Sequence, residues 1–296
     1  MVRRHELTDT EWARIAPLLP PQETRGTYYK SHRVILNRML YRLCTGCGWR
    51  DLPERYGPWP TVASRQRRWT HEGLWDRILG ALQRDLDAAG QIDWELWCID
   101  GTHVRAHRAA AGARGKSTRA RCRLGEPADH ALGRSRGGFS TEIHLLTDGT
   151  GLPLHAALSA GQAHESRYVG SVLDGLHVRR CRPGRPRRRP DRLAGDKGYS
   201  YPAVRAALRR RHIGAVIAAR DDQRERRAHR PGRKPQFDKA AYRQRHFIEN
   251  CVGWLKEARS LATRYEKLAV HYLALVKLAI MRRLLKRLIT PLSHRA

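Results

Sequence analysis

The chain has 296 residues, with 58 Lys plus Arg against 28 Asp plus Glu and a formal net charge of +30 at pH 7. A length of this order predicts about two domains that bury roughly three quarters of the unfolded surface without needing disulfides, and no apolar run reaches the roughly 18 residues of a membrane span. The basic residues are spread along the whole chain and not gathered in a tail, which selects a polyanionic partner and reads as nucleic-acid binding.

The six cysteines (Cys44, Cys47, Cys98, Cys122, Cys181, Cys251) fall at irregular spacings, and no apolar leader follows Met-Val-Arg-Arg-His-Glu. The expected location is therefore a reducing cytoplasm. Cys44-Thr-Gly-Cys47 has zinc-knuckle spacing, but no second pair stands where a tetrahedral site needs it, so no structural zinc is expected.

In chain order, Thr8 and Glu11 form a capping box that starts a helix running to Leu19 before Pro20-Pro21. Val34, Ile35, Leu36, Met39, Leu40 and Leu43 mark a second helix closed near Gly46 and Gly48, and a third follows Pro60 with Thr61 as cap. This third helix carries Arg65, Arg67 and Arg68 and suggests a helix-turn-helix whose basic helix reads DNA. A fourth runs from His71 to Ala89 and ends at Gly90, while Trp49, Trp59, Trp69 and Trp75 are expected to be core.

From residue 94 the pattern changes. Leu96 to Arg105, Phe139 to Thr147 and Leu152 to Ser159 read as an antiparallel meander, the last two joined by Asp148-Gly149-Thr150-Gly151. A helix at Glu165 to Leu176, a strand at 191–196, a helix at Tyr201 to Arg211, a buried strand at Ile213 to Ala218 and a long helix at Lys239 to Arg259 follow. Three basic polar segments, near 106–138, 179–190 and 220–236, read as loops. The predicted class is α/β, an RNase H-like mixed sheet with flanking helices over 93–296, preceded by an all-α, helix-turn-helix-like DNA-binding domain over 1–92.

Acidic residues inside apolar strands need an explanation in so basic a chain, because an unpaired buried carboxylate costs several kcal/mol. Asp100 follows Cys98-Ile99, and Asp196 ends the fourth strand among glycines. The first and fourth strands are neighbours in this order, so the two carboxylates converge and repel unless a cation lies between them. On an ideal helix from Tyr242, Arg245, Glu249 and Lys256 lie at about 300°, 340° and 320°, one stripe, with Phe247, Ile248, Cys251, Trp254 and Leu255 on the opposite face. Glu257 lies about 12 Å beyond Glu249, too far to join the same metals. Three carboxylates beside Arg and Lys suit two Mg²⁺ ions, or Mn²⁺, and in-line phosphodiester chemistry. His103, His144 and His164 are read as structural.

These residues resemble a known family. Tyr242-x2-Arg245-x3-Glu249-x6-Lys256 is similar, spacing for spacing, to the YREK signature of DDE transposases of bacterial insertion sequences. Ile99-Asp100-Gly101-Thr102, the segment Gly133 to Gly138, Gly161-Gln162-Ala163-His164, Asp196-x-Gly198-Tyr199, Leu7-Thr8-Asp9-x-x-Trp12 and Gly48 to Pro53 resemble further blocks, so the likeness covers nearly the whole chain. It implies Asp100, Asp196 and Glu249 as catalytic, metal-binding residues and Tyr242, Arg245 and Lys256 as DNA-positioning residues. It further implies a cytoplasmic, nucleoid-associated enzyme that cuts and rejoins double-stranded DNA at element ends and target, as a homo-dimer or higher assembly. The alternatives are an RNase H-like nuclease and a non-catalytic DNA-binding regulator. One departure is Glu142, where the family leads us to expect Lys.

Overall fold

The computed structural model describes residues 4–21, 31–111, 125–135, 137–229 and 237–290. Helix α1 (Asp9–Ile15) opens with the capping box, the Glu11 N–H donating to Thr8 Oγ1 (3.1 Å) and the Thr8 N–H to Glu11 Oε2 (2.8 Å). A 3-10 turn at Ala16–Leu18 carries it to the expected end. Helix α2 (His32–Thr45) stops at Gly46, whose φ of 71° is the left-handed geometry that closes a helix most easily at glycine. Helix α3 (Trp59–His71) starts earlier than expected and Thr61 is not its cap. Pro60 fits the first turn because its missing N–H has no partner there, and no side chain caps the helix. Residues 46–58 join α2 to α3, a longer connection than a tight helix-turn-helix turn. Helix α4 (Leu74–Ala88) follows after Gly73 at φ 66°.

Strands β1 (Leu96–Ala106), β2 (Gly133–Ser135), β3 (Gly138–Asp148), β4 (Pro153–Ala160), β5 (Arg192–Gly195), β6 (Gly214–Ile217) and β7 (Thr263–Arg264) form one mixed sheet. β3 pairs antiparallel with β1, Asp100 opposite Leu145, and with β4, Ile143 opposite Leu158. β5 pairs parallel with β1, Cys98 opposite Ala194, and β6 parallel with β5. The resulting order β4-β3-β1-β5-β6 is the RNase H-like order, with β2 added at the start of β3 and β7 along the end of β1. The turn after β3 is built by the fully buried Asp148, whose carboxylate accepts from the N–H groups of Asp93, Thr150 and Leu152.

The basic segments are more ordered than their composition suggests. Within 106–138 the described residues include α5 (Arg108–Ala111), β2 and a turn carrying buried Glu126 and His130; residues 112–124, with Cys122, and Arg136 lie outside the described residues. Helix α6 (Val169–Asp174) follows a 3-10 turn at Glu165–Arg167. In the 179–190 run, Val178 and Arg187 exchange backbone bonds of 2.9 Å, and Arg187 pairs with Asp87 at 3.2 Å. After α7 (Pro202–Arg210), the expected 220–236 loop contains α8 (Asp221–Ala228), whose first-turn Asp221 and Asp222 complement the helix dipole; residues 230–236 lie outside the described residues. β6 is only half buried, its first two residues being exposed.

The long helix expected at 239–259 is two helices, α9 (Lys239–Arg243) and α10 (His246–Glu257). Between them Gln244, Arg245, Phe247 and Ile248 each donate to the carbonyl three residues back, a 3-10 tightening that advances about 120° per residue instead of 100°. The ideal wheel therefore falls short of the true rotation at this point, and Phe247 is 38% exposed while Ile248, Cys251 and Leu255 are buried.

After α11 (Arg259–Ala262) and β7 comes α12 (Ala269–Ile289), a helix the periodicity reading did not isolate. It packs on α4 and β4, so the N-terminal helices and the sheet share one hydrophobic cluster containing Ile78, Leu82, Leu145, Leu154, Ile280 and Leu284. The buried Glu126 carboxylate caps α12, accepting from the N–H groups of Ala269 (2.7 Å) and Val270 (2.9 Å). Arg264, fully buried, donates to Thr141 Oγ1 (2.6 Å) and to the carbonyls of Ala131, Glu266 and Lys267. Removing it orphans several buried acceptors. Arg264→Ala is expected to lower the unfolding free energy by about 3 kcal/mol, read as a lower urea midpoint; an unchanged midpoint would show that the clamp adds nothing to stability.

Candidate active site

The parallel pairing of β1 with β5 sets the site. Cys98 lies opposite Ala194, and two residues further along each strand come Asp100 and Asp196. Asp100 Oδ1 accepts from the Gly101 N–H (3.1 Å), and Oδ2 lies 3.6 Å from Arg245 Nη1. Burial pushes the Asp100 carboxyl up to about 6, against the pull of Arg245 and the Gly101 N–H and with added repulsion from Asp196 and Glu165. Asp196 also caps the 3-10 turn at Lys197–Tyr199, accepting from the Gly198 N–H (2.8 Å). At Gly195 an added Cβ would sit 3.1 Å from the Tyr199 ring and 3.4 Å from Ile99 Cγ2, so glycine lets these side chains close over the strand end. Burial, then Glu165 and Asp100, holds the Tyr199 hydroxyl protonated well above the usual tyrosine range.

Glu249 reaches the same place through Arg245. Its side chain is 54% exposed and pairs with Arg245 Nη2, whereas the Arg245 side chain is 19% exposed. Burial disfavours the Arg245 charge, but Asp100, Glu249, Tyr242 and Asp196 together raise its pKa. One guanidinium thus lies between Asp100 and Glu249 and feels Asp196 as well. Tyr242 is half-buried with its ring centroid 5.9 Å from the Arg245 guanidinium carbon, and Lys256 is exposed on α10.

The N-terminal cations divide. Arg65 is 7% exposed, donates to His32 Nδ1 (2.9 Å) and lies over the Trp69 ring, which corrects its expected place on a DNA-reading surface. It belongs to the basic run of α3, but Val62, Arg65 and Trp69 share one face of the helix, the buried one. Arg67 is exposed, and Arg68 is paired with Glu72 (3.4 Å). Trp69 and Trp75 are core as expected, whereas Trp49 and Trp59 are only half-buried, beneath Arg42 and Arg50. His144 is buried against Tyr168 and donates to or accepts from Ser159 Oγ (2.8 Å); burial lowers its pKa to about 4. His164 caps the 3-10 turn that starts at Glu165.

Two acidic residues join the site that the sequence reading did not place there. Glu142 stands on β3 opposite His103, on the face of the sheet away from the Asp100 side chain but close enough to feel its charge, with a fully buried side chain, and Glu165 comes from the turn after β4. Burial raises the Glu142 carboxyl, and Glu165 raises it further. β3 is buried on both faces from Ser140 onward, so alternation held no signal for Glu142, while Glu165 stood directly after the Gly161 to His164 block. Among the described residues no three His, Cys, Asp or Glu side chains already stand as a metal-binding group. The donors are nevertheless all carboxylate oxygens in negative excess with a single guanidinium among them, a set that fits a hard divalent cation.

The sheet order, with Asp100 within β1 and Asp196 directly after β5, is that of an RNase H-like fold, and the family match that follows makes the chain a nucleic-acid-cutting enzyme. Residues 95–284 match the family described as "Transposase DDE domain", and residues 7–79 match "Putative transposase of IS4/5 family". The chain belongs to the DDE transposases of the IS4/5 family of insertion sequences. An uncharacterized protein y4sN of Sinorhizobium fredii is 39% identical over 110 residues, 36% of this chain and 82% of that protein. The "Putative transposase for insertion sequence element IS402" of Burkholderia cepacia is 30% identical over 156 residues, 53% of this chain and 68% of its own length. That of element IS6501 of Brucella ovis is 28% identical over 143 residues, 48% of this chain and 95% of its own length. No solved structure matches.

The Asp100 shift has a sign that can be read in solution. Between the ordinary carboxylate value and about 6 the folded chain binds a proton that the unfolded chain releases, so ionised Asp100 costs stability at neutral pH and not at pH 4. Without added metal, Asp100→Asn is expected to melt above the parent chain at pH 7.5, with the gap closing towards pH 4. A lower melting temperature for Asp100→Asn at pH 7.5 would mean that the Arg245 attraction outweighs burial.

Proposed function

We propose that this transposase binds the terminal inverted repeats of its element and catalyses metal-dependent strand cleavage and strand transfer, with Asp100, Asp196 and Glu249 holding two Mg²⁺ or Mn²⁺ ions. The observation that carries this reading is the position of Arg245, between Asp100 and Glu249 and within the field of Asp196. Two carboxylates pair with one cation and a third lies within its field, an excess of negative charge of the kind that divalent ions neutralise. When bound, the ions supply activation of the attacking oxygen and stabilisation of the leaving one. The chain's own groups hold the DNA: Arg245 exchanges its carboxylates for a phosphate, Tyr242 supports the guanidinium, and Lys256 extends the positive stripe along α10. Residues 1–92 contribute end recognition through the exposed Arg67 and Arg68, and two or more copies pair the element ends in the cytoplasm, at the nucleoid. No described helix is long and apolar enough to cross a membrane.

Asp100→Asn, Asp196→Asn and Glu249→Gln are each expected to abolish cleavage and joining of an end-containing duplex in Mg²⁺ while leaving end binding within a few-fold. Glu257→Gln, on the last residue of α10, keeps substantial activity. Cleavage without joining by the parent chain would instead favour a nuclease. Full activity of Glu249→Gln would remove Glu249 from the site.

The net charge of +30 makes a second expectation. End binding falls steeply with salt, with a log–log slope of about −0.9 per phosphate contacted. An affinity that is flat between low and physiological salt would contradict an electrostatic interface.

A further inference from the structure

Among the described residues Glu142 is the least satisfied acid. Its side chain is completely buried, and neither Oε1 nor Oε2 makes a hydrogen bond of ordinary geometry, with the Glu165 carboxyl and the Ser159 hydroxyl as its polar neighbours. The basic groups within 4.0 Å among the described residues are two imidazoles: His103 Nδ1 at 4.0 Å from Oε1 and His144 Nε2 at 3.9 Å from Oε2. Both are beyond hydrogen-bond reach, and each has its Nε2 engaged elsewhere, His103 with the Gly161 carbonyl and His144 with Ser159. Charge-bearing neighbours from the other packed elements are acids: Glu165 from the turn after β4 and Asp100 from β1.

Gly101 shows where the two glutamates meet. An ideal Cβ on this residue would lie 2.5 Å from Glu142 Oε1 and 3.0 Å from Glu165 Oε1. Two carboxylate oxygens therefore converge on one point, kept clear because residue 101 has no side chain. Two carboxylates carry the charge that one divalent cation neutralises, and Mg²⁺ or Mn²⁺ binds oxygen at about 2.0–2.2 Å, a length compatible with this cradle. Glu165 is half-buried and gives the pair its route to solvent.

We propose that Glu142 and Glu165 hold a divalent cation of their own beside Gly101, separate from those assigned to Asp100, Asp196 and Glu249. The site adjoins the proposed catalytic carboxylates and fixes β3 and the turn after β4 against the middle of β1, which keeps the Asp100 segment in place. The inference rests on the transposase reading only through this adjacency, so its failure and that of the triad have different signatures.

The test counts Mn²⁺ bound by the full chain at pH 7.5, from the electron paramagnetic resonance signal of free Mn²⁺, and records melting temperatures with and without Mn²⁺. Glu142→Gln is expected to bind one Mn²⁺ fewer than the parent chain. Glu142→Lys, which supplies a tethered cation to Glu165, loses the same equivalent and melts above the parent in metal-free buffer. Asp100→Asn keeps this Mn²⁺ while losing those of the triad. Should the Glu142 variants lack the parent's far-ultraviolet circular dichroism, Glu165→Gln decides the matter with the same expected loss. Parent-like Mn²⁺ counts in the folded Glu142 or Glu165 variants would overturn the proposal and leave the pair sharing a proton. If Asp100→Asn and Glu249→Gln bind as many Mn²⁺ as the parent while the Glu142 variants lose one, the triad reading fails and this site stands.

Discussion

Repulsion among buried carboxylates is the constraint around which this molecule is organised. The parallel register of β1 and β5 carries Asp100 and Asp196 to the same end of the sheet, and β3 and the turn after β4 bring Glu142 and Glu165 beside them. Such a gathering is unfavourable without compensating charge. In the protein alone part of the compensation comes from Arg245, and part comes from protons, as the raised Asp100 and Glu142 carboxyls show. In a chain of +30 net charge this gathering of acids is local, and the charge of the rest of the chain favours a polyanion.

The scaffold that holds this arrangement is built from the other end of the chain. Helix α12 lies against α4 and β4, so the N-terminal helices do not form a separate hydrophobic cluster from the sheet. Glu126 caps α12 and Arg264 ties β7 to Thr141 at the start of β3, two buried charged groups whose partners are mostly backbone atoms. Both serve to aim elements, β3 above all, which then presents Glu142 inward. The 3-10 tightening between α9 and α10 has a comparable effect, setting Arg245 over Asp100 while keeping Ile248 and Leu255 in the core.

Much of this was legible in the residues themselves, for identifiable reasons. Thr8 with Glu11, and Gly46 after α2, are local signals whose hydrogen bonds close within a few residues, so the first helices could be placed almost to their ends. The alternation of apolar strands with turn residues set the order of the sheet, and with it the neighbouring positions of Asp100 and Asp196. The Tyr242 to Lys256 spacing and its likeness to a known family pointed to the same enzyme class that the comparisons returned.

Other features depended on contacts that no local pattern encodes. Arg65 belongs to a basic run in sequence, yet it shares the face of Val62 and Trp69 and is buried beside the Trp69 ring. The polar stretch at 221–228 is helical although it has no apolar face, and α12 is fixed by a cap donated from residue 126, far away in the chain. Glu142 stood out in sequence only as an acid where the family led us to expect a base. Its burial, its meeting with Glu165 and the cradle at Gly101 arise from cross-strand register between β1 and β3 and from the turn after β4. What the sequence determined by itself was most of the helices and strands and which carboxylates lie in or directly after strands, because capping, periodicity and turn chemistry act over a few residues. Which acids share a space, and which cation lies among them, was decided only by tertiary structure, since Coulomb energy and desolvation depend on distances that folding alone sets.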